Sequence, residues 1–141
     1  MHLLDVNVLI AICDPMHDHH KKSRLWFERY SKNGWATCPL TENGFVRITG
    51  QKAYPNGPQT PKGALNILNQ LISLPGHQFW KDSVSISDKD LFGNLKNIGH
   101  KQLTDLYLLG LATSRSGKLV SLDTRMLQGT FSSFKKSLLQ I

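Results

Sequence analysis

The sequence predicts an α/β fold in three layers, in which helices cover both faces of a central, mostly parallel sheet of four to five strands. Short apolar segments of strand length alternate along the chain with segments whose apolar residues recur at helical spacing, which is the pattern of parallel α/β folds. The length of 141 residues falls within the range of one domain, and no repeat, low-complexity tract or charged tail divides it. We therefore expect a single domain over residues 1–141.

The amino-terminal segment predicts a strand followed by two helices. The opening run HLLDVNVLIAIC is too long for one typical strand, so we expect a strand that ends near Asp5 and a helix that begins near Asn7. Asp14-Pro15 closes this helix, and the apolar spacing predicts a second helix over 17–30. Asp5 is thereby predicted to stand at a junction between a strand and a helix.

The same junction recurs in the middle of the chain. Residues 35–38 predict a second strand, and Pro39 is favoured at the start of the helix that follows. This helix carries Glu42 in its first turn and ends near Gly50. Residues 51–61 contain three prolines and a glycine, which predicts a surface loop.

The second half of the chain predicts further strands and one buried helix. The leucine-rich segment that begins at Thr104-Asp105 is apolar nearly all round, which predicts a buried helix, and Gly117 stops it. Asp123 directly follows the next strand. The elements expected here are helices at 62–74 and 104–116, short helices after Ser87 and Asp123, and strands at 77–80, 84–86, 118–122 and 137–141.

Four acids are predicted to meet at one edge of the sheet. Asp5, Glu42 and Asp123 each follow a strand, Asp105 begins a helix that can reach the same edge, and ligands of open parallel sheets collect beyond the carboxyl ends of the strands. Each acid alone has an alternative explanation as a helix cap. Four together form a cluster of like charges that needs cations to persist, and a site made only of oxygen ligands suits Mg²⁺ or Mn²⁺.

The overall charge favours a polyanionic partner. Lys and Arg outnumber Asp and Glu by 17 to 10, which leaves a formal charge of +7, although basicity alone does not separate RNA from DNA or a membrane surface. A basic surface around an acidic pit that holds cations suggests hydrolysis of phosphodiester bonds. Cys13 and Cys38 lack the spacing of metal-binding motifs, and no apolar stretch reaches the roughly 20 residues of a membrane span, so we expect buried thiols and a soluble, cytoplasmic protein.

The acids lie within four segments that resemble the motifs of PIN domains, in particular those of the VapC-like toxins of bacterial toxin–antitoxin pairs. The segments are LLDVNVLIAIC, PLTENGFVRI, LTDLYLLGLA and KLVSLDTRML, and their order and spacing extend over almost the whole chain, from residue 3 to residue 127. The resemblance implies a PIN-like fold, metal-dependent cleavage of RNA, a homodimer and inhibition by a small cognate antitoxin. It also implies that Asp5, Glu42, Asp105 and Asp123 form the catalytic and metal-binding quartet, in which Asp5 and Asp105 are the principal ligands and Asp123 acts partly through water.

Other polar residues are candidates for supporting roles. Three stand beside the acids and are candidates for orienting them or their waters, with helix capping as the alternative for the two threonines: Asn7, Thr41 and Thr104. Three cations are candidates for binding a substrate phosphate, with ordinary surface ion pairs as the alternative: Arg47, Arg125 and Lys118. The histidines at 17, 19 and 20 form a polar helix start, which favours a solvated face over a metal site.

Two other functions fit parts of the pattern. A phosphatase of the haloacid dehalogenase type also places an Asp after its first strand, but that chemistry usually needs a second Asp where this chain has Asn7. A non-catalytic PIN-like domain that binds RNA or a protein partner would keep the fold and the basic surface. The sequence leaves open which RNA is cleaved, which antitoxin binds, how many metal ions take part and how a dimer is arranged.

Overall fold

The centre of the fold is a parallel sheet of five strands in the order β3-β2-β1-β4-β5. The computed structural model describes the backbone of residues 1–127 and 129–141 and the side chains of residues 1–126 and 133–141. The strands are β1 His2–Leu4, β2 Trp35–Thr37, β3 His77–Phe79, β4 Lys118–Ser121 and β5 Leu138–Gln140. The helices are α1 Val6–Cys13, α2 His20–Tyr30, α3 Pro39–Thr49, α4 Pro61–Ile72, α5 Lys89–Phe92 and α6 Leu103–Ser114, and short 3-10 helices span Ser31–Asn33, His100–Gln102, Thr124–Leu127 and Gly129–Ser137.

Neighbouring strand residues bury their side chains on opposite faces of the sheet, as the period of a strand requires. Leu3 packs with α5 and α6 on one face, and Leu4 packs with α1 to α4 on the other. Leu119 and Val120 of β4 divide in the same way, and all four side chains are fully buried. Helices therefore cover both faces, and the three-layer α/β/α prediction is confirmed.

The order of the strands places a topological switch at β1. The chain leaves β1 to form β2 and β3 on one side and returns to form β4 on the other side, with Leu3 paired to Ala36 and to Leu119. Open α/β sheets bind their ligands in the crevice beyond the carboxyl ends of the strands at such a point. Residues that follow β1, β2 and β4 thus share one edge of the sheet.

A glycine allows α3 to approach the start of α1. A methyl group at Gly44 would lie 2.7 Å from Cγ2 of Val6, the first residue of α1. Only a residue without a Cβ permits this approach. Gly44 therefore brings the first turn of α3, which carries Glu42, close to the junction that carries Asp5.

Three details differ from the predicted elements. Residues 84–86 form no strand, because this segment packs as irregular chain against the core and the Val84 carbonyl accepts a hydrogen bond of 3.1 Å from the Tyr107 hydroxyl. The second helix begins at His20 rather than at 17, after a turn in which Asp14 accepts from the amide of Met16. Asp88, and not Ser87, caps the short helix α5.

The helices are all short. The longest have 12 residues, and none in the described part of the chain has both the length and the apolar character that crossing a membrane requires.

Candidate active site

Asp5 is a buried carboxylate at the junction of β1 and α1. It caps the helix, since Oδ1 accepts from the amide of Val6 at 2.7 Å, and Oδ2 accepts from the hydroxyl of Ser121 at 2.7 Å. Only 7% of Asp5 is exposed. Burial is the main cause that raises the pKa of Asp5, and the charge of Asp123 adds to it, against the lowering effect of the hydrogen bonds from Ser121 and Val6.

Ser121 connects the ends of β1 and β4. In addition to donating to Asp5, its oxygen accepts from the Asn7 side-chain amide at 3.2 Å and from the backbone amide of Asp123 at 3.1 Å. The Asn7 side-chain oxygen accepts from the amide of Leu122 at 3.3 Å. Asn7 is thereby connected to Asp5 through Ser121.

Asp105 lies in the first turn of α6, opposite the end of β4. Burial, followed by the charges of Asp5 and Asp123, raises the pKa of Asp105 to about 6, while the nearby Arg125 has a smaller, opposite effect. Asp105 and Asp123 line one cleft, and Ser121 bonds both the carboxylate of Asp5 and the backbone amide of Asp123, so the three aspartates lie in one region. The structure thus brings together three of the four predicted acids.

Asp123 carries its own counterion. The Arg125 guanidinium donates from Nη2 to Oδ2 at 2.6 Å and from Nε to Oδ1 at 3.0 Å. These hydrogen bonds are the main cause that lowers the pKa of Asp123. The two side chains line a cleft of about 100 Å³ together with Lys101, Gln102, Asp105 and Met126.

Glu42 is held differently from the other three acids. It lies in the first turn of α3, and its Oε1 accepts from the hydroxyl of Thr37 at 2.6 Å. The same hydroxyl oxygen lies 2.8 Å from Nε2 of His77. Glu42 therefore stands on the β2–β3 side of the carboxyl edge, whereas the aspartates cluster beside β1 and β4.

The donor set suits a hard divalent cation by its chemistry. Burial is the main cause that raises the pKa of Asp5 and of Asp105, and the charges of neighbouring aspartates, which a cation would offset, add to it. Among the described residues, no three His, Cys, Asp or Glu side chains already enclose a common metal position. Mg²⁺ usually keeps several waters and binds one or two carboxylates, so an open arrangement of acids fits this ion.

The other candidates have varied positions. Thr41 is buried, and its hydroxyl caps α3 by accepting from the amide of Cys38 at 2.9 Å, which is the capping alternative. Thr104 is exposed beside Asp105, and Arg47 is exposed in the last turn of α3. Lys118 does not reach the cleft, because it begins β4 and lies at the amino edge of the sheet, where its amide donates to the carbonyl of Met1.

The histidine-rich segment lies apart from the cleft, on the turn before α2. His19 is exposed, its amide donates to Nδ1 of His17 at 3.1 Å, and the ring of His20 lies 2.7 Å from the carbonyl oxygen of Ala11. These contacts are local, and they agree with the solvated face that the sequence predicts.

Sequence reasoning missed several residues of this edge. Ser121 precedes Asp123 by two positions, so the strand period alone signals that both share a face. Thr37 is the last residue of β2, and its position at the end of a strand places it at the same edge. His77, Lys101 and Gln102 had no signal in the sequence, because only the folded arrangement brings them to the acids.

Comparison with known proteins gives several close relatives. Ribonuclease VapC39 of Mycobacterium tuberculosis is 42% identical over 129 residues, which cover 88% of this chain and 89% of the relative. Ribonuclease VapC38 of the same organism is 43% identical over 124 residues, covering 87% and 85%, and ribonuclease VapC44 is 40% identical over 121 residues, covering 86% and 84%. No protein-family model matches the chain.

A solved structure shares the fold. It is the crystal structure of VapBC2 from Rickettsia felis bound to a DNA fragment from their promoter, and it matches with a TM-score of 0.67 and 14% sequence identity over 99% of this chain and 97% of that chain. At this identity the likeness concerns the fold alone.

Proposed function

The chain belongs to the VapC family of ribonucleases, and from this premise we propose that it is a metal-dependent endoribonuclease and the toxin of a toxin–antitoxin pair. The observation that supports metal dependence most directly is the convergence of Asp5, Asp105 and Asp123 at the carboxyl edge of the sheet. RNA is the substrate, and Mg²⁺ or Mn²⁺ is the proposed cofactor. A cognate antitoxin and a second copy of the chain are the proposed partners.

The three aspartates and Ser121 have separate roles in this proposal. Asp5 and Asp105 would hold the divalent ion, and Asp123 would assist them partly through water. A bound ion of this kind supplies an activated water and stabilises the negative charge that develops on the phosphate. Ser121 fixes the orientation of Asp5 by its hydrogen bond of 2.7 Å, as hydrogen-bonding partners of metal ligands commonly do.

Two cations line the cleft and are suited to the RNA backbone. Lys101 and Arg125 are exposed beside the acids, and Lys and Arg are the side chains that most often contact phosphates. They attract the polyanion to a site whose acids alone would repel it. Arg47 remains a candidate for a more distant phosphate, since it is exposed on the same helix as Glu42.

Neither alternative function gains support from the site. The second carboxylate that a haloacid dehalogenase-like phosphatase needs is absent at Asn7, whose amide is already engaged with Ser121 and Leu122. A non-catalytic domain gives no reason for Asp105 and Asp123 to line one cleft close to the buried Asp5. Hydrolysis with a divalent ion accounts for both features.

The proposal is tested by RNA cleavage with the purified chain. We expect cleavage of labelled RNA with Mg²⁺ or Mn²⁺, its loss on addition of a chelator, and its loss in Asp5→Asn without loss of the fold. Asp18→Asn makes the same chemical change on an exposed turn and should leave cleavage unchanged. Cleavage that continues in Asp5→Asn, or after the metal is chelated, would contradict the mechanism.

A further inference from the structure

Three hydrogen-bonded side chains connect the start of β3 to α3 across the end of β2. His77 begins β3, Thr37 ends the neighbouring strand β2, and Glu42 lies in the first turn of α3. The Thr37 hydroxyl is 2.8 Å from Nε2 of His77 and donates to Glu42 at 2.6 Å. Thr37 is fully buried, so water does not replace either partner.

The donor and acceptor roles in these two hydrogen bonds can be assigned in one way only. An ionised carboxylate accepts hydrogen bonds and donates none, and a threonine hydroxyl has a single proton to give. Thr37 gives that proton to Glu42, so the hydrogen bond between Thr37 and His77 must use a proton on Nε2 of His77. The contacts therefore select the His77 tautomer that carries its proton on Nε2.

The sheet holds His77 and Thr37 rigidly. Thr37 pairs with Phe79 in β3, and its carbonyl accepts from the amide of Trp80 at 2.8 Å. The His77 ring packs against Trp35, with 4.6 Å between the ring centroids. Glu42, by contrast, is a long side chain on a helix, which loses rotamer freedom only where something holds it.

We propose that Thr37 and His77 are positioning residues for Glu42, which hold one oxygen of its carboxylate so that the other serves RNA hydrolysis from the β2–β3 side of the cleft. This inference rests on the proposed function. Glu42 thereby has a different task from Asp105 and Asp123, which line the cleft together. The site extends across four neighbouring strands, from β4 through β1 and β2 to β3.

Substitutions at Thr37 test the role of the hydroxyl. Thr37→Val keeps the shape and removes both hydrogen bonds, and we expect kcat to fall by about 10- to 100-fold, with KM changed less than about threefold. Thr37→Ser keeps the hydroxyl and should retain most of the activity. Thr49→Val is the matched control, since it removes another buried threonine hydroxyl, which donates to the carbonyl of Phe45 farther along α3, and should leave kcat unchanged.

A double-mutant cycle separates positioning from a general structural effect. If Thr37 acts through Glu42, Thr37→Val adds less than about twofold to the loss already caused by Glu42→Gln. His77→Phe keeps the packing on Trp35 without the donor and should lower kcat, whereas His77→Gln keeps a donor and should retain part of the activity. Full activity in Thr37→Val would overturn the proposal. A double variant whose loss of kcat equals the product of the two single losses would also overturn it.

The tautomer of His77 gives a test that needs no catalysis. Nitrogen NMR of the folded, metal-free chain at about pH 8 should report the proton on Nε2 of His77, and this preference should weaken in Thr37→Val. A proton on Nδ1 would overturn the positioning proposal even if RNA is cleaved. Wild-type protein that shows the expected tautomer but cleaves no RNA would instead contradict the proposed function.

Discussion

Replacing Asp105 by Asn should abolish RNA cleavage and at the same time stabilise the metal-free protein. The pKa of Asp105 is raised from its ordinary value of 3.8 to about 6, because burial and the charges of Asp5 and Asp123 disfavour its ionised form. The folded state thus holds this proton more tightly than the unfolded state does. Stability is therefore highest below the unfolded pKa, decreases as pH rises between 3.8 and about 6, and stays reduced at neutral pH.

The pKa difference sets the size of the effect. A difference of about two pKa units corresponds to about 3 kcal/mol at 1.36 kcal/mol per unit, and solvent screening of this partly exposed side chain reduces the expected gain to about 1–2 kcal/mol. Urea unfolding at about pH 7.5 should show this gain for Asp105→Asn, and at about pH 5 roughly half of it should remain. Asp18→Asn, on an exposed turn, should change stability at neither pH.

Two outcomes of these measurements would refute the electrostatic reasoning. One is an Asp105→Asn variant that is no more stable than wild type at neutral pH. The other is a gain that is as large at about pH 5 as at about pH 7.5, since a packing effect has no reason to follow the titration of Asp105. Saturating Mg²⁺ should stabilise wild type more than the variant, by about 2.7 kcal/mol at 100 times the dissociation constant if only wild type binds the ion.

Three further substitutions test other parts of the structure. Ser121→Ala removes a donor to Asp5 and should lower single-turnover RNA cleavage by about 10- to 100-fold, whereas Ser121→Thr keeps the hydroxyl and should retain most of the activity. Arg125→Gln frees Asp123 from an exposed ion pair and should tighten Mn²⁺ binding by no more than about fivefold in calorimetry; weaker binding would contradict the role of Arg125 as a competing counterion. Gly110→Ala places a methyl group against the ring of Phe92 and should cost about 1–3 kcal/mol in urea unfolding, and an unchanged midpoint would show that the core can give way at this point.

The elements around the acids were predictable because their signals are local. The run from His2 to Cys13 contains a strand, a capping aspartate and an apolar helix, each of which is indicated by residues within the run itself. The parallel sheet then follows from the alternation of strands and helices, and its carboxyl edge follows from the sheet. The positions of Asp5, Asp123 and Glu42 were thus consequences of the fold class.

The predictions that differ from the structure concern residues whose positions depend on contacts between distant parts of the chain. Residues 84–86 have the composition of a strand, but the Val84 carbonyl is occupied by the hydroxyl of Tyr107, a residue 23 positions away. Lys118 is near Asp123 in sequence, but an extended strand carries it about 10 Å away from Ser121, to the opposite edge of the sheet. Nearness along an extended chain is a poor guide to nearness in space.

The four acids reduce their mutual repulsion in three different ways. These differences affect how a metal ion can bind. Asp123 is paired with Arg125, Asp5 and Asp105 hold protons more tightly than usual, and Glu42 is set apart by Thr37. A divalent ion that binds the aspartates must therefore release protons and compete with a guanidinium, so its apparent affinity should fall as pH drops below about 6. Since Thr37 and Ser121 both lie in the sheet, the hydrogen bonds that orient Glu42 and Asp5 remain while the charges in the cleft change, and the protein can exchange counterions without refolding the site.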